Sequence, residues 1–129
     1  MNWEVVKVSD ATKTRTTPCA SVGFGRLYFN TAACELLENY NLYTNVELLK
    51  GRIGGKLCVG VRFLKESEKT KNSLFIKKRK IKNKLVGATI NNKQAMEELF
   101  GLNGAAEKTI KYDVKKDQED PRVLILFND

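Results

Sequence analysis

Gly25-Arg26-Leu27-Tyr28-Phe29-Asn30-Thr31-Ala32-Ala33-Cys34-Glu35-Leu36-Leu37 is the stretch whose reading decides the fold. Arg26 to Phe29 is a short strand candidate, and Asn30 is an acceptable helix cap. From Thr31 to Tyr40, Ala33, Leu36, Leu37 and Tyr40 share one face at helical spacing, so a short amphipathic helix is expected over 31–40. Val46 to Lys50, the glycine-rich connection Gly51 to Gly55, and Lys56 to Leu64 then read as strand, turn and strand. The same grammar returns further along. Lys84 to Ile90 is a strand candidate, Asn91 or Asn92 caps a helix near 92–100 with the stripe Ala95, Met96, Leu99 and Phe100, and Gly101 ends it. Thr109 to Val114 alternates with Ile110, Tyr112 and Val114 inward, Lys115 to Asp120 is a polar turn, and Pro121 to Phe127 is a closing strand.

Strand, short helix, strand, turn and strand thus occur twice, over 25–64 and 86–127, joined by the basic segment 66–84. Side-chain identity between the copies is slight, so the pattern repeats rather than the sequence. One such unit is too small to bury its own strands, whereas two can share a core and close the sheet. The expected fold is α+β and mostly β, a small barrel or sandwich built as a pseudo-dimer within one domain over 1–129. Ahead of the first unit, Trp3 to Val8 reads as a strand and Ser9 to Val22 as a loop.

Composition limits the chemistry. The chain has 129 residues, 42% of them apolar, which suffices for one core without metal or disulfide staples. No apolar run approaches the roughly 20 residues of a spanning helix, and no basic region precedes an apolar stretch at the amino terminus. Neither membrane insertion nor secretion is expected; a bacterial or phage cytoplasm is. Histidine is absent. That excludes Ser-His-Asp and Cys-His catalysis and a Cys2His2 zinc site. Cys19, Cys34 and Cys58 are odd in number and contain no C-x-x-C, which suits a reducing compartment and small core side chains. Glu35 with Glu38 and Glu97 with Glu98 are carboxylate pairs of the solvent-facing kind, and Asp113, Asp117, Glu119 and Asp120 lack calcium-loop spacing. Gly51, Gly54 and Gly55 lack the G-K-[ST] ending of a phosphate loop and read as turn residues. No enzyme, no metal and no cofactor is expected.

Charge points elsewhere. Lysine and arginine number 23 against 15 acids, a net charge of +8. Residues 66–84 alone hold eight basic and two acidic side chains. Lys77, Lys78, Arg79, Lys80, Lys82 and Lys84 could release several condensed counterions from a polyanion, so nucleic acid, DNA before RNA, is the expected partner. Lys13 and Arg15 could also reach a phosphate. The bland alternative is a solvated linker or hairpin whose charge only aids solubility.

Gly25-Arg26-Leu27-Tyr28-Phe29-Asn30 and the short helix ending near Leu42 resemble the Gly-Arg-strand-Pro-helix-Leu-Gly opening of AbrB-like swapped-hairpin DNA-binding proteins, and the hairpin from Val46 to Leu64 extends the likeness. Asn30 stands in the place of the family's proline, and the second copy, Gly87-Ala88-Thr89-Ile90, has no arginine. The resemblance implies a regulator of transcription that contacts duplex DNA through basic residues around its first strand, with Arg26 as the position to carry over. Two other readings compete. An OB-type barrel would bind single-stranded DNA, as in a phage or mobile element, in a basic groove with aromatic platforms drawn from Trp3, Phe24, Tyr28, Tyr43, Phe75 and Tyr112. A structural or protein-interaction module would need no nucleic acid. Beside nucleic acid, a second copy of the chain could be a partner in a homo-oligomer.

Overall fold

The computed structural model describes residues 2–5, 17–82, 84–101 and 109–127. Nine strands form one antiparallel sheet: β1 (Cys19–Gly23), β2 (Arg26–Asn30), β3 (Tyr43–Ile53), β4 (Lys56–Lys65), β5 (Leu74–Phe75), β6 (Lys77–Ile81), β7 (Lys84–Asn91), β8 (Ile110–Lys116) and β9 (Val123–Phe127). Helices are short, α1 over Thr31–Cys34 and α2 over Lys93–Phe100. The strand order is β5-β3-β4-β9-β8-β1-β2-β7-β6. Its two edge strands are consecutive in the chain, separated only by Ile76. One extended segment, 74–81, therefore pairs with β3 at one end and β7 at the other, and the sheet nearly closes into a small barrel. Ile76 is buried, and its N–H donates to the Thr44 carbonyl at 2.9 Å, carrying the β3 ladder across the junction.

The order has a further property. It is unchanged when β1, β2, β3 and β4 are exchanged with the β5–β6 segment, β7, β8 and β9. Under that exchange the β2–β7 and β4–β9 pairs map onto themselves and lie on opposite walls of the barrel.

Turn chemistry explains the hairpins. Phe24-Gly25 and Gly54-Gly55 both have positive φ at both central residues, the geometry of a two-residue type I′ turn, whose twist matches the strands it joins. Asn30 ties the first unit together. Its Oδ1 accepts from the Ala33 N–H at 2.9 Å and the Cys19 N–H at 3.1 Å, while Nδ2 donates to the Thr17 carbonyl at 3.0 Å. One side chain thus caps α1 and fixes the start of β1, work that a proline in this place would not do. Asn92 caps α2 in the same way, accepting from the Ala95 N–H at 2.8 Å.

Alternation along the strands fills the barrel. Leu27, Phe29, Ala88, Ile90, Val46, Val61, Phe63 and Leu124 are fully buried. Phe63 is the hub, with Phe29, Tyr43 and Tyr40 ring centroids at 5.8, 6.1 and 6.5 Å in tilted or edge-on contact. Ala33, Cys34, Leu37 and Tyr40, from α1 and the turns after it, join this core, and the Tyr40 hydroxyl donates to the Gly87 carbonyl at 3.0 Å.

Several sequence expectations need correction. Residues 2–5 form no strand, and Trp3 and Val5 are 86% and 87% exposed; residues 6–8 lie outside the described region. The loop assigned to Ser9–Val22 contains a central strand, β1, whose small residues Cys19, Ala20 and Ser21 carry weak strand propensity but sit between β2 and β8. The first helix stops at Cys34 rather than Tyr40. Asn39 adopts a left-handed backbone and a single 3-10 turn, Tyr40–Leu42, leads into β3. Gly51 to Ile53 continue β3, so the turn shrinks to two glycines. The basic segment 66–84 is a hairpin rather than a linker over its second half: residues 74–81 close the barrel, and β6 turns back into β7 with Ile81 opposite Lys84.

Two predictions follow from the packing. A Cβ on Gly87 would lie 2.9 Å from the Phe29 carbonyl oxygen and 3.0 Å from the Tyr28 ring, whereas one on Gly51 meets nothing within 4 Å. Gly87→Ala is expected to lose about 1–3 kcal/mol in urea unfolding, and Gly51→Ala to change stability by less than about 1 kcal/mol. Burial pushes the Cys34 thiol up from 9.0 to about 11, against a smaller opposing effect of its hydrogen bond with Tyr40. The folded state then keeps a proton that the unfolded chain releases, so this stabilisation is complete below pH 9 and lost as pH rises to about 11, roughly 2–3 kcal/mol in all. Tyr40, also raised by burial, steepens the fall above its ordinary range. Unfolding midpoints across that window should fall less steeply in Cys34→Ala than in the parent.

Candidate nucleic-acid interface

The wall formed by β2, β7 and β6 is where the sequence candidates meet. In the β2–β7 and β6–β7 registers Arg26 lies opposite Asn91, Tyr28 and Lys77 flank Thr89, and Asn30 and Arg79 flank Gly87. Cross-strand partners share a face, and the alternate residues Leu27, Phe29, Ala88 and Ile90 fill the core, so Arg26, Lys77 and Arg79 stand on the outer face. An open groove of about 730 Å³ runs over this wall, lined by Phe24, Arg26, Lys77, Lys78, Arg79 and Lys93 together with Gly25, Thr89, Asn91 and Asn92. The first residue of α2 enters here because the Asn92 N–H donates to the Gly25 carbonyl at 3.1 Å. Gly25 also permits the approach, since a Cβ there would sit 3.1 Å from the Lys93 Cα. The amino-terminal end of α2 adds the positive end of its dipole to the groove wall.

The cations of β6 divide by strand parity. Lys77 and Arg79 are exposed, while Lys78 shares the parity of buried Ile76 and turns toward the barrel end. Its ammonium donates to the Asn41 carbonyl at 2.8 Å and sits 5.4 Å from the centroid of the Tyr40 ring. Burial, with the nearby Lys80 charge, holds its pKa below the usual lysine range. A register shift between Arg79 and Lys80 breaks the alternation, and Lys80 and Lys82 are exposed beyond the groove. Lys84 begins β7, and its side chain is outside the described set, as are Lys13 and Arg15 entirely. Tyr28 is half-buried, its ring lying over Gly87.

Ion pairing differs between the walls of the barrel. On the opposite wall, carboxylates are matched: Arg62 pairs with Glu47 and Asp120, and Arg122 with Glu68 and Asp120. The Lys65 backbone N–H and the Arg122 guanidinium hold the Glu68 carboxyl below the usual carboxylate range. Among the described residues, Arg26, Lys77, Arg79 and Lys93 have no carboxylate partner. The groove therefore carries uncompensated positive charge, which raises the local concentration of polyanions.

Sequence reading did not find Lys93 or Asn91 as groove residues. They lie more than sixty residues from Arg26 in the chain, and only the β2–β7 pairing brings them beside it. Phe24 is more telling. It is 55% exposed and holds φ +55°, a left-handed backbone that costs a bulky side chain of order 1–3 kcal/mol. Type I′ turns favour asparagine or glycine at this place.

Among the described residues no three His, Cys, Asp or Glu side chains come together as a metal site, and no helix is long and apolar enough to cross a membrane. Cys19 and Cys34 are buried and Cys58 is half-buried. Compared with models of known protein families, with curated proteins and with solved structures, the chain matches none.

The two faces of β6 predict different phenotypes. Lys78→Ala removes a charge-assisted hydrogen bond and a cation–π contact and is expected to lose about 1–2 kcal/mol in chemical unfolding. Lys77→Ala should leave stability within about 0.5 kcal/mol of the parent.

Proposed function

We propose that the protein is a non-enzymatic nucleic-acid-binding protein of the cytoplasm that lays a DNA sugar-phosphate backbone along the groove between the Phe24-Gly25 turn, the amino end of α2 and β6. One observation carries this reading. Arg26 and Lys93, far from β6 in the chain, converge with Lys77 and Arg79 on one open groove, and none of the four cations is matched by a carboxylate of the described residues. Four unmatched cations on a rigid sheet hold their spacing without ordering a loop on binding, which lowers the entropic cost of association. Guanidinium groups at 26 and 79 suit bidentate phosphate contact, and the ammonium groups at 77 and 93 act as point charges beside them. Such contacts position a strand and carry no base information. A role in transcription, which the AbrB-like resemblance of residues 25–64 suggests, would place Arg26 against DNA in the same groove.

Titration of labelled duplex and single-stranded DNA across a salt series tests this. The double variant Lys77→Ala, Arg79→Ala should bind both more weakly and flatten the log–log salt slope by roughly 0.9 unit per lost duplex contact, or about 0.7 for a single strand. An unchanged slope removes β6 from the binding surface. No binding of either DNA at low salt by the parent protein refutes the reading and favours a protein-interaction module.

A further inference from the structure

We infer that the groove selects unpaired strands, with Phe24 as the surface on which a base stacks. The inference rests on the nucleic-acid reading above and adds the class of substrate. Phe24 occupies the first central position of a type I′ turn at φ +55°, and more than half of its surface faces water. Burial does not offset the backbone strain, because the side chain is not part of the core. A residue that is poor for the turn and lies outside the core is expected where the ring itself has a task. Its surroundings indicate which. Phe24 lines the same groove as Arg26, Lys77, Arg79 and Lys93, so an apolar ring sits among groups suited to phosphate.

That combination fits a single strand better than a duplex. In a single strand the bases are splayed beside the backbone, and each offers a π-face to an aromatic side chain while cations track the phosphates. In a duplex those faces are already stacked, and an aromatic could meet them only as a wedge, at the expense of unstacking a base step. Phe75 strengthens the case. It is 71% exposed and lies two residues before Lys77 on the barrel-closing segment, with buried Ile76 between them, so a second open aromatic adjoins the cationic strand.

The test uses the full chain, a labelled oligothymidylate and a duplex of equal length. The parent is expected to bind the single strand more tightly. Phe24→Asn suits the turn, so it should raise Tm by a few degrees while lowering single-strand affinity roughly 5- to 150-fold, with little effect on the duplex. Phe24→Trp keeps a π-surface and should retain the parent's affinity. Tighter binding to duplex than to single strand, or full single-strand affinity in Phe24→Asn, overturns the inference. Either result leaves the nucleic-acid reading intact, because that reading stands or falls on the salt slope of the Lys77, Arg79 variant.

Discussion

Burial of Ile76 is the constraint from which the rest follows. It sits between two strands that pair with opposite edges of the sheet, and seating it inside joins those edges into a barrel wall. Strand parity then leaves no choice for its neighbours: Lys77 and Arg79 point out. Sliding the segment by one residue would expose Ile76 and turn Lys77 into an apolar interior, where an unpaired ammonium is far more costly than the lost isoleucine burial. The same apolar contact thus closes the fold and aims the cations. A basic strand at a sheet edge is ordinarily a device against unwanted pairing. Here both edges are covered by one segment, and its charge is available for something else.

Electrostatics shows a division of labour between walls related by the strand order. On the β4–β9 wall Arg62 and Arg122 are matched by carboxylates. The β2–β7 wall, which occupies the equivalent position on the other side, gathers Arg26, Lys77, Arg79 and Lys93, none with a carboxylate partner among the described residues. Exposed ion pairs of the first kind add little to stability, so pairing alone does not explain the contrast. Four cations on one groove with no carboxylate partner among the described residues instead create a local positive field, and a field has consequences for encounter with a polyanion rather than for folding.

Much of this architecture is legible in the sequence, and the reasons it fades are local. Asn30 and Asn92 announce their caps, the stripe of α2 announces its buried face, and the Gly54-Gly55 turn announces its hairpin. β1 is hidden because Cys19, Ala20 and Ser21 are small, and the burial that makes them a strand comes from neighbours distant in sequence. With β1 unseen, Phe24-Gly25 could not be read as a hairpin turn. The cationic run is visible as composition, but its split into Lys78 inside and Lys77 and Arg79 outside depends on Ile76 being a core residue. Three apolar residues, 74–76, ahead of a charged tract give no sign that the middle one bridges two edges. The groove is less legible still, since Arg26, Lys77 and Lys93 become neighbours only through pairing of β2, β7 and β6.

Lys78 and Phe24 invert the usual assignments, and the inversion is informative. Lys78 belongs by composition to the binding tract, yet its ammonium is engaged by the Asn41 carbonyl and the Tyr40 ring, which ties β6 to the aromatic core. It contributes field to the groove but is not free to follow a ligand. Phe24 belongs by composition to the core, yet it stands half in water on a backbone that disfavours it. The Gly54-Gly55 turn of the same fold uses two glycines, an unstrained solution. That the hairpin beside the cationic groove departs from it, placing an aromatic ring among four cations, sets the chemistry of this groove apart from that of a merely basic patch.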